Sequence, residues 1–156
     1  MGNNHAVRLD DESLLRALDR LEECLEAPLS GRAQAWAERV GWSLAETDSA
    51  WQRHIGAAEA HTGPFNSEDL KGPMLPTADQ RVHELELDHQ TLQGTTQSLR
   101  RDLQAIAQPF ADGPKINDLL KIRRRARQLI SDIQRHKENE TILLMDNVNM
   151  DIGAGD

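Results

Sequence analysis

Apolar side chains recur three and four residues apart along four stretches of the chain, and proline or glycine separates these stretches. This spacing places apolar residues on one face of an α-helix, while proline and glycine mark helix ends. The first predicted helix runs from about Asp10 to Ala27, and Pro28 ends it. The second is capped by Ser30 and continues to about Thr62. The apolar stripes of these helices consist of Leu14, Leu18, Leu21 and Leu25, and of Trp36, Val40, Leu44, Thr47, Trp51 and Ile55.

A predicted loop over residues 63–76 precedes the third helix, where Thr77 and Gln80 have the spacing of a capping box. Gly113-Pro114 separates the third helix from the fourth. The inward seam of the third helix comprises Val82, Leu85, His89, Leu92, Thr96, Leu99, Leu103, Ile106 and Phe110. The seam of the fourth comprises Leu119, Ile122, Ala126, Leu129, Ile133, His136, Glu140 and Leu143.

Four amphipathic helices with short connections predict an all-α fold, an antiparallel up-down-up-down four-helix bundle. No segment alternates with the period of a β-strand. We assign residues 1–145 to the bundle and residues 146–156, which are polar and contain glycine, to a C-terminal tail.

Composition narrows the classes of function. A chain of 156 residues is long enough for one domain with a buried core. The net charge of −8 argues against nucleic acid as a partner. No apolar run resembles a signal peptide or a membrane span, and the lone Cys24 is expected to be a half-buried thiol in a reducing compartment. We therefore expect a cytoplasmic protein with no membrane partner.

Three histidines are the candidate chemistry. His89 and His136 lie on the inward seams, and His54 flanks the stripe of the second helix. Counted from the bundle end that their helices share, all three lie 20–23 residues deep, a spread of about 4–5 Å. Glu140 lies one turn after His136. A buried carboxylate is costly unless something compensates it, and imidazole and carboxylate together are typical ligands of a transition metal.

Glu59 is a further candidate ligand, five residues after His54. Five residues place it about 140° around a regular α-helix, which is unfavourable for sharing a metal. A π-bulge near Gly56 would bring the two side chains together. Without a bulge, Glu59 lies at the rim.

The stretches WQRHIGAAEAHTGPF (51–65), LELDHQTL (85–92) and IQRHKENETILL (133–144) resemble the hemerythrin-like (HHE cation-binding) domain family. The resemblance covers most of the chain from about residue 30 and implies a bundle holding non-haem iron, in that family a di-iron centre. It implies binding or sensing of oxygen or a related small ligand. The metal ligands it implies are His54, Glu59, His89, His136 and Glu140.

The sequence also departs from the family pattern. Leu85 stands where a second histidine of the third helix is usual, and His83 faces elsewhere. The first helix offers His5 or Asp11 as its ligand. Two iron ions, one ion, or a metal-free bundle all remain compatible with this set.

Two other interpretations remain open. A metal-free interaction module, with a homodimer as one arrangement, would use the exposed faces of the second and third helices and a buried histidine network. A histidine phosphotransfer domain would use His89, which must then be exposed, although the lysine and glycine typical of such domains are missing at their usual spacing. No catalytic constellation is recognisable, so we do not expect an enzyme.

Overall fold

The computed structural model of the protein describes residues 3–66, 76–108 and 112–153, with side chains described at 11–66, 78–108 and 112–146. Four long helices dominate this part of the chain: α1 (Asn3–Glu26), α2 (Ala33–Glu59), α3 (Pro76–Ile106) and α4 (Ile116–Gly153). A short 3-10 turn, Pro64–Asn66, follows α2. No strand occurs in the described residues, so the predicted all-α class is confirmed.

The helices run antiparallel to their neighbours. On α4, Arg123 donates to the carbonyl of Ala27 at the end of α1, whereas Lys137 donates to Asp11 near the start of α1. The same pattern, in which residue numbers rise along one helix as those of its partners fall along the next, holds for the other pairs of neighbouring helices. The pairs are Arg53–Ser13 and Arg20–Glu46 for α1 and α2, Arg100–Asp48 and His89–Glu59 for α2 and α3, and Arg81–Asp146 and Arg125–Asp102 for α3 and α4.

The predicted stripes form the core. All four leucines of the α1 stripe and all eight residues of the α4 seam are buried. On α2 and α3 the stripes are buried except for Ile55, Val82 and Ile106, which are half-buried; Phe110 lies outside the described residues. Full burial of one leucine contributes roughly 1.5–3 kcal/mol, so this core is the main stabilising term of the bundle. Cys24 is half-buried and free, as expected.

The start of α2 differs from the prediction. Ser30 is not its cap: the helix begins at Ala33 after Arg32, whose side chain makes no capping hydrogen bond. Ser30 and Gly31 instead occupy a turn closed by the amide of Arg32, which donates to the carbonyl of Leu29 at 3.1 Å. Gly31 has φ of 71°, a left-handed conformation that glycine adopts without steric cost. The α3 helix begins at Pro76, and the Thr77 side chain lies outside the described residues.

The first and last helices of the chain, α1 and α4, are longer than predicted. The α1 helix begins at Asn3, although the side chain of His5 lies outside the described set. The α4 helix continues past residue 145 to Gly153, into the segment predicted as a tail. Residues 146–152 contain neither proline nor glycine, so nothing in them stops the helix. Asp146 accepts a hydrogen bond from Arg81 of α3 at 3.1 Å. No helix among the described residues has an apolar stretch long enough to cross a bilayer.

Candidate metal centre

The three histidines from α2, α3 and α4 meet in the interior. Ring centroids lie 4.6 Å apart for His89 and His136, 5.3 Å for His54 and His89, and 6.0 Å for His54 and His136. All three side chains are buried. The convergence expected from equal depth along the bundle is therefore observed.

Glu140 lies at the point where the rings converge. Its Oε1 is 3.0 Å from Nε2 of His54, 3.4 Å from Nε2 of His136 and 3.6 Å from Nε2 of His89. One donor atom from each of these four buried residues lies within 4.8 Å of the others. Three imidazoles and one carboxylate at this separation form a group that can hold a metal ion.

Each ring turns its second nitrogen towards a carboxylate on a different helix. Nδ1 of His89 lies 2.7 Å from Oε1 of Glu59 on α2. Nδ1 of His136 lies 3.4 Å from Asp88 on α3, and Nδ1 of His54 lies 3.4 Å from Asp11 on α1. A neutral imidazole that donates Nδ1–H to a carboxylate keeps its lone pair on Nε2. For His89 and His136 the outer carboxylates therefore favour the neutral tautomer whose lone pair faces the centre. His54, whose Nε2 lies 3.0 Å from Oε1 of Glu140, presents its lone pair to the centre only once that nitrogen has lost its proton.

Two of those inward nitrogens have no hydrogen-bond partner. Nε2 of His89 and Nε2 of His136 are buried and unpartnered among the described residues. Buried polar atoms are nearly always paired, so two such nitrogens beside one carboxylate require an explanation. A bound cation would pair both lone pairs and the carboxylate together. The donors present are thus suited to a metal ion.

The Glu140 carboxylate is ionised. Burial alone would raise the pKa of Glu140, but the imidazoles of His136, His54 and His89 around its Oε1 outweigh burial and hold that pKa far below its ordinary value. Its second oxygen, Oε2, accepts a hydrogen bond from Nζ of Lys137 at 2.6 Å. Nζ also donates to Oδ1 of Asp11 at 2.8 Å. Lys137 therefore supplies part of the compensation that a buried carboxylate needs.

The protonation of His54 and Lys137 follows from the same carboxylates. Burial alone would lower the pKa of His54, but hydrogen bonds to Asp11 and Glu140 outweigh it, so the pKa is raised above its ordinary value. Burial would likewise lower the pKa of Lys137, and Glu140 and Asp11 reverse that effect and raise the pKa. The ammonium group of Lys137 is consequently charged at neutral pH.

The structure brings together four of the five ligands predicted from the sequence and places the fifth elsewhere. Helix α2 is a regular α-helix from Ala33 to Glu59, with no π-bulge at Gly56. Glu59 therefore stays outside the group of four and contacts the outer nitrogen of His89. Asp11, a candidate for the first-helix ligand, lies at the outer nitrogen of His54. His61 and His83 are exposed and take no part.

Aromatic rings cover the histidine cluster. Trp51 stacks on His54, with centroids 5.0 Å apart and planes 20° from parallel, and meets His89 and His136 edge-on. Phe65 stacks on His89 at 5.4 Å and 9°. These contacts restrict rotation of the imidazoles and shield the side of the cluster that they cover from water, which strengthens electrostatic interactions there.

The chain reversal after α2 delivers Phe65 to this position. Asn66 donates from its side-chain amide to the carbonyls of Glu59 and Ala60, both at 3.0 Å, and so satisfies carbonyls at the helix end. A Cβ atom at Gly63 would lie 2.4 Å from the carbonyl oxygen of Ala57. Only glycine allows so close an approach without a shift of the backbone. Phe65 was not identified from the sequence, because its loop carries no periodic pattern.

A small cavity of about 60 Å³ borders the centre. Its polar lining comes from Asp11, His54, Lys137, Glu140 and Thr141. This volume holds about two to four water molecules or a ligand of similar size. A small molecule can therefore reach the face of the centre that Glu140 and His54 present.

Comparison of the chain with protein-family models, curated proteins and solved structures finds no match.

Proposed function

We propose that this protein is a hemerythrin-like metal-binding protein whose buried centre binds non-haem iron and, through it, oxygen or a related small ligand. The observation that carries the proposal is the pair of unpartnered nitrogens, Nε2 of His89 and Nε2 of His136, beside the carboxylate of Glu140. Donors of this kind, buried and aimed at one point, are costly without a cation.

The donor atoms suit a transition metal of intermediate softness. Three imidazole nitrogens and one carboxylate oxygen suit iron, and also zinc, copper and manganese, better than they suit calcium or magnesium. Cys24 does not belong to the group, so no thiolate shifts the preference to softer ions. The resemblance of the three histidine-bearing stretches to the hemerythrin-like family is what selects iron among these metals.

The surroundings support a small ligand. Four protein donors leave coordination positions open on an ion that takes five or six ligands, as iron does in sites built from histidine and carboxylate. The adjacent cavity of about 60 Å³ is large enough for a diatomic molecule or a small anion. Iron would supply the affinity for that ligand, and the protein would supply its orientation and protection from bulk water.

A metal-free interaction module is the second candidate, and Lys137 favours it. Its ammonium group already offsets the charge of Glu140 without any metal. That network leaves both unpartnered imidazole nitrogens unexplained, whereas a metal pairs them. The phosphotransfer interpretation is disfavoured because His89 is 0% exposed and cannot meet a receiver domain.

Iron loading followed by exposure to oxygen tests the proposal. The protein is stripped with a chelator, reloaded anaerobically with Fe(II) and exposed to oxygen while the ultraviolet-visible spectrum is recorded. We expect iron to bind and a ligand-to-iron charge-transfer band to appear, and we expect both to be lost in His136→Ala and retained in His61→Ala. A wild-type protein that binds no iron contradicts the proposal, and one that binds iron but shows no spectral response contradicts its oxygen-binding part.

A further inference from the structure

Lys137 occupies an unusual position for a lysine. It projects from α4 three residues before Glu140, and only 19% of its side chain is exposed. Its ammonium group contacts two carboxylates from different helices, Glu140 Oε2 at 2.6 Å and Asp11 Oδ1 at 2.8 Å. A cation bridging two carboxylates at the edge of a histidine cluster occupies the kind of place in which a metal ion is otherwise held.

We propose that Lys137 substitutes for a second metal ion, so that the centre binds one ion. This inference rests on the proposed metal-binding function and specifies its stoichiometry. The single ion is held by Nε2 of His54, His89 and His136 and by Oε1 of Glu140.

The two oxygens of Glu140 contact different partners, and this arrangement supports the inference. A carboxylate that bridges two metals uses one oxygen for each. Here Oε1 faces the three imidazoles, and Oε2 is engaged by the ammonium group of Lys137. Glu140 is thereby oriented as a ligand through one oxygen, and its other oxygen is closed to a second ion.

The other carboxylates near the cluster are engaged as well. Asp11 contacts both Lys137 and Nδ1 of His54, Glu59 contacts Nδ1 of His89, and Asp88 contacts Nδ1 of His136. Among residues 11–66, 78–108 and 112–146, only the group containing Glu140 offers three or more donors close enough for one ion. Within these residues a second ion would therefore have to displace Lys137 to obtain ligands.

Three substitutions of Lys137 distinguish the effect of its charge from the effect of its volume. Lys137→Ala removes the ammonium group and opens space between Glu140 and Asp11. Lys137→Met removes the charge but leaves that space filled. Lys137→Arg retains the charge and is the matched control.

The experiment measures iron bound per chain in wild type and the three variants by equilibrium dialysis against anaerobic Fe(II), with melting temperatures recorded with and without metal. We expect one ion in wild type and Lys137→Arg and two ions in Lys137→Ala, with the metal-dependent rise in melting temperature largest in Lys137→Ala. Lys137→Met should bind one ion at least about tenfold more tightly than wild type, because a nearby positive charge no longer opposes it. That affinity keeps the inference testable if Lys137→Ala does not fold.

Two ions in wild type overturn the inference alone, as does a Lys137→Ala protein that still binds a single ion. An unchanged affinity in Lys137→Met has the same consequence. Absence of iron from wild type and every variant overturns the proposed function itself, and the inference with it, so the two failures give different results.

Discussion

Replacement of Glu59 by alanine tests whether Glu59 binds the metal itself or only orients a histidine that binds it. The sequence pattern proposes Glu59 as a ligand, whereas the structure places its Oε1 2.7 Å from Nδ1 of His89, on the side of the ring away from the cluster. Loss of a carboxylate that orients a ligating histidine typically weakens metal binding 10- to 100-fold, or about 1.4–2.7 kcal/mol. We expect Glu59→Ala to fall within that range with its stoichiometry unchanged.

The effect on the metal-free protein should be smaller. His89 is buried and loses its partner, but the Glu59 side chain is 37% exposed, so water can take over part of the hydrogen bond. We expect a loss of about 1 kcal/mol in the free energy of unfolding, at the low end of the cost of an unsatisfied buried donor. Asp88→Ala should weaken metal binding less than Glu59→Ala does, because Asp88 lies 3.4 Å from His136 and is half exposed.

Competition with a chromophoric chelator gives the affinities. Glu138→Ala is the control, since it removes the same charge from an exposed position on α4. Glu59→Gln retains an oxygen that can accept from Nδ1, so it should recover part of the lost affinity. If Glu59→Ala binds as tightly as Glu138→Ala, the orienting role is wrong. If it loses metal as completely as His136→Ala, Glu59 is a ligand.

Three further outcomes follow from the centre. His136→Ala should lose most bound metal while its circular dichroism remains helical, because the core of the bundle continues on both sides of the site; equal metal content in variant and parent would refute the assignment of His136. His61→Ala and His83→Ala should retain the parent's metal content, since both side chains are exposed. Metal affinity should rise as pH increases through and above 6.5, because the pKa of His54 is raised above that value and its proton must leave before a metal binds. A titration from about pH 6 to pH 9 that gives constant affinity would contradict this sign.

The bundle was predictable because the periodic pattern of apolar residues depends only on which face of each helix is buried. Leucines at helical spacing on α1 and the complete seam of α4 require only that one face of each helix be buried, which is what the structure shows. The common depth of His54, His89 and His136 follows from the constant rise of an α-helix and the antiparallel order. Element ends were less predictable, as Ser30 and the extension of α4 to Gly153 illustrate.

The parts of the centre that the sequence missed or left open depend on long-range packing. Lys137 lies beside the apolar seam, where a lysine usually meets solvent, and only the approach of α1 brings Asp11 to its ammonium group. The role of Glu59 depends on whether α2 is a regular helix or contains a π-bulge, and residue spacing alone does not determine which of the two forms. The position of Phe65 depends on a tight reversal at Gly63 that has no periodic signal.

Elemental analysis of the wild-type protein tests the central claim most directly. The protein is purified without a chelator, supplied with Fe(II), freed of loosely bound ions and assayed for metal per chain. The buried group of His54, His89, His136 and Glu140 predicts a stoichiometric, tightly held transition metal. A protein that folds as a helical bundle and retains none would show that these imidazoles serve a hydrogen-bond network and would contradict a metal centre.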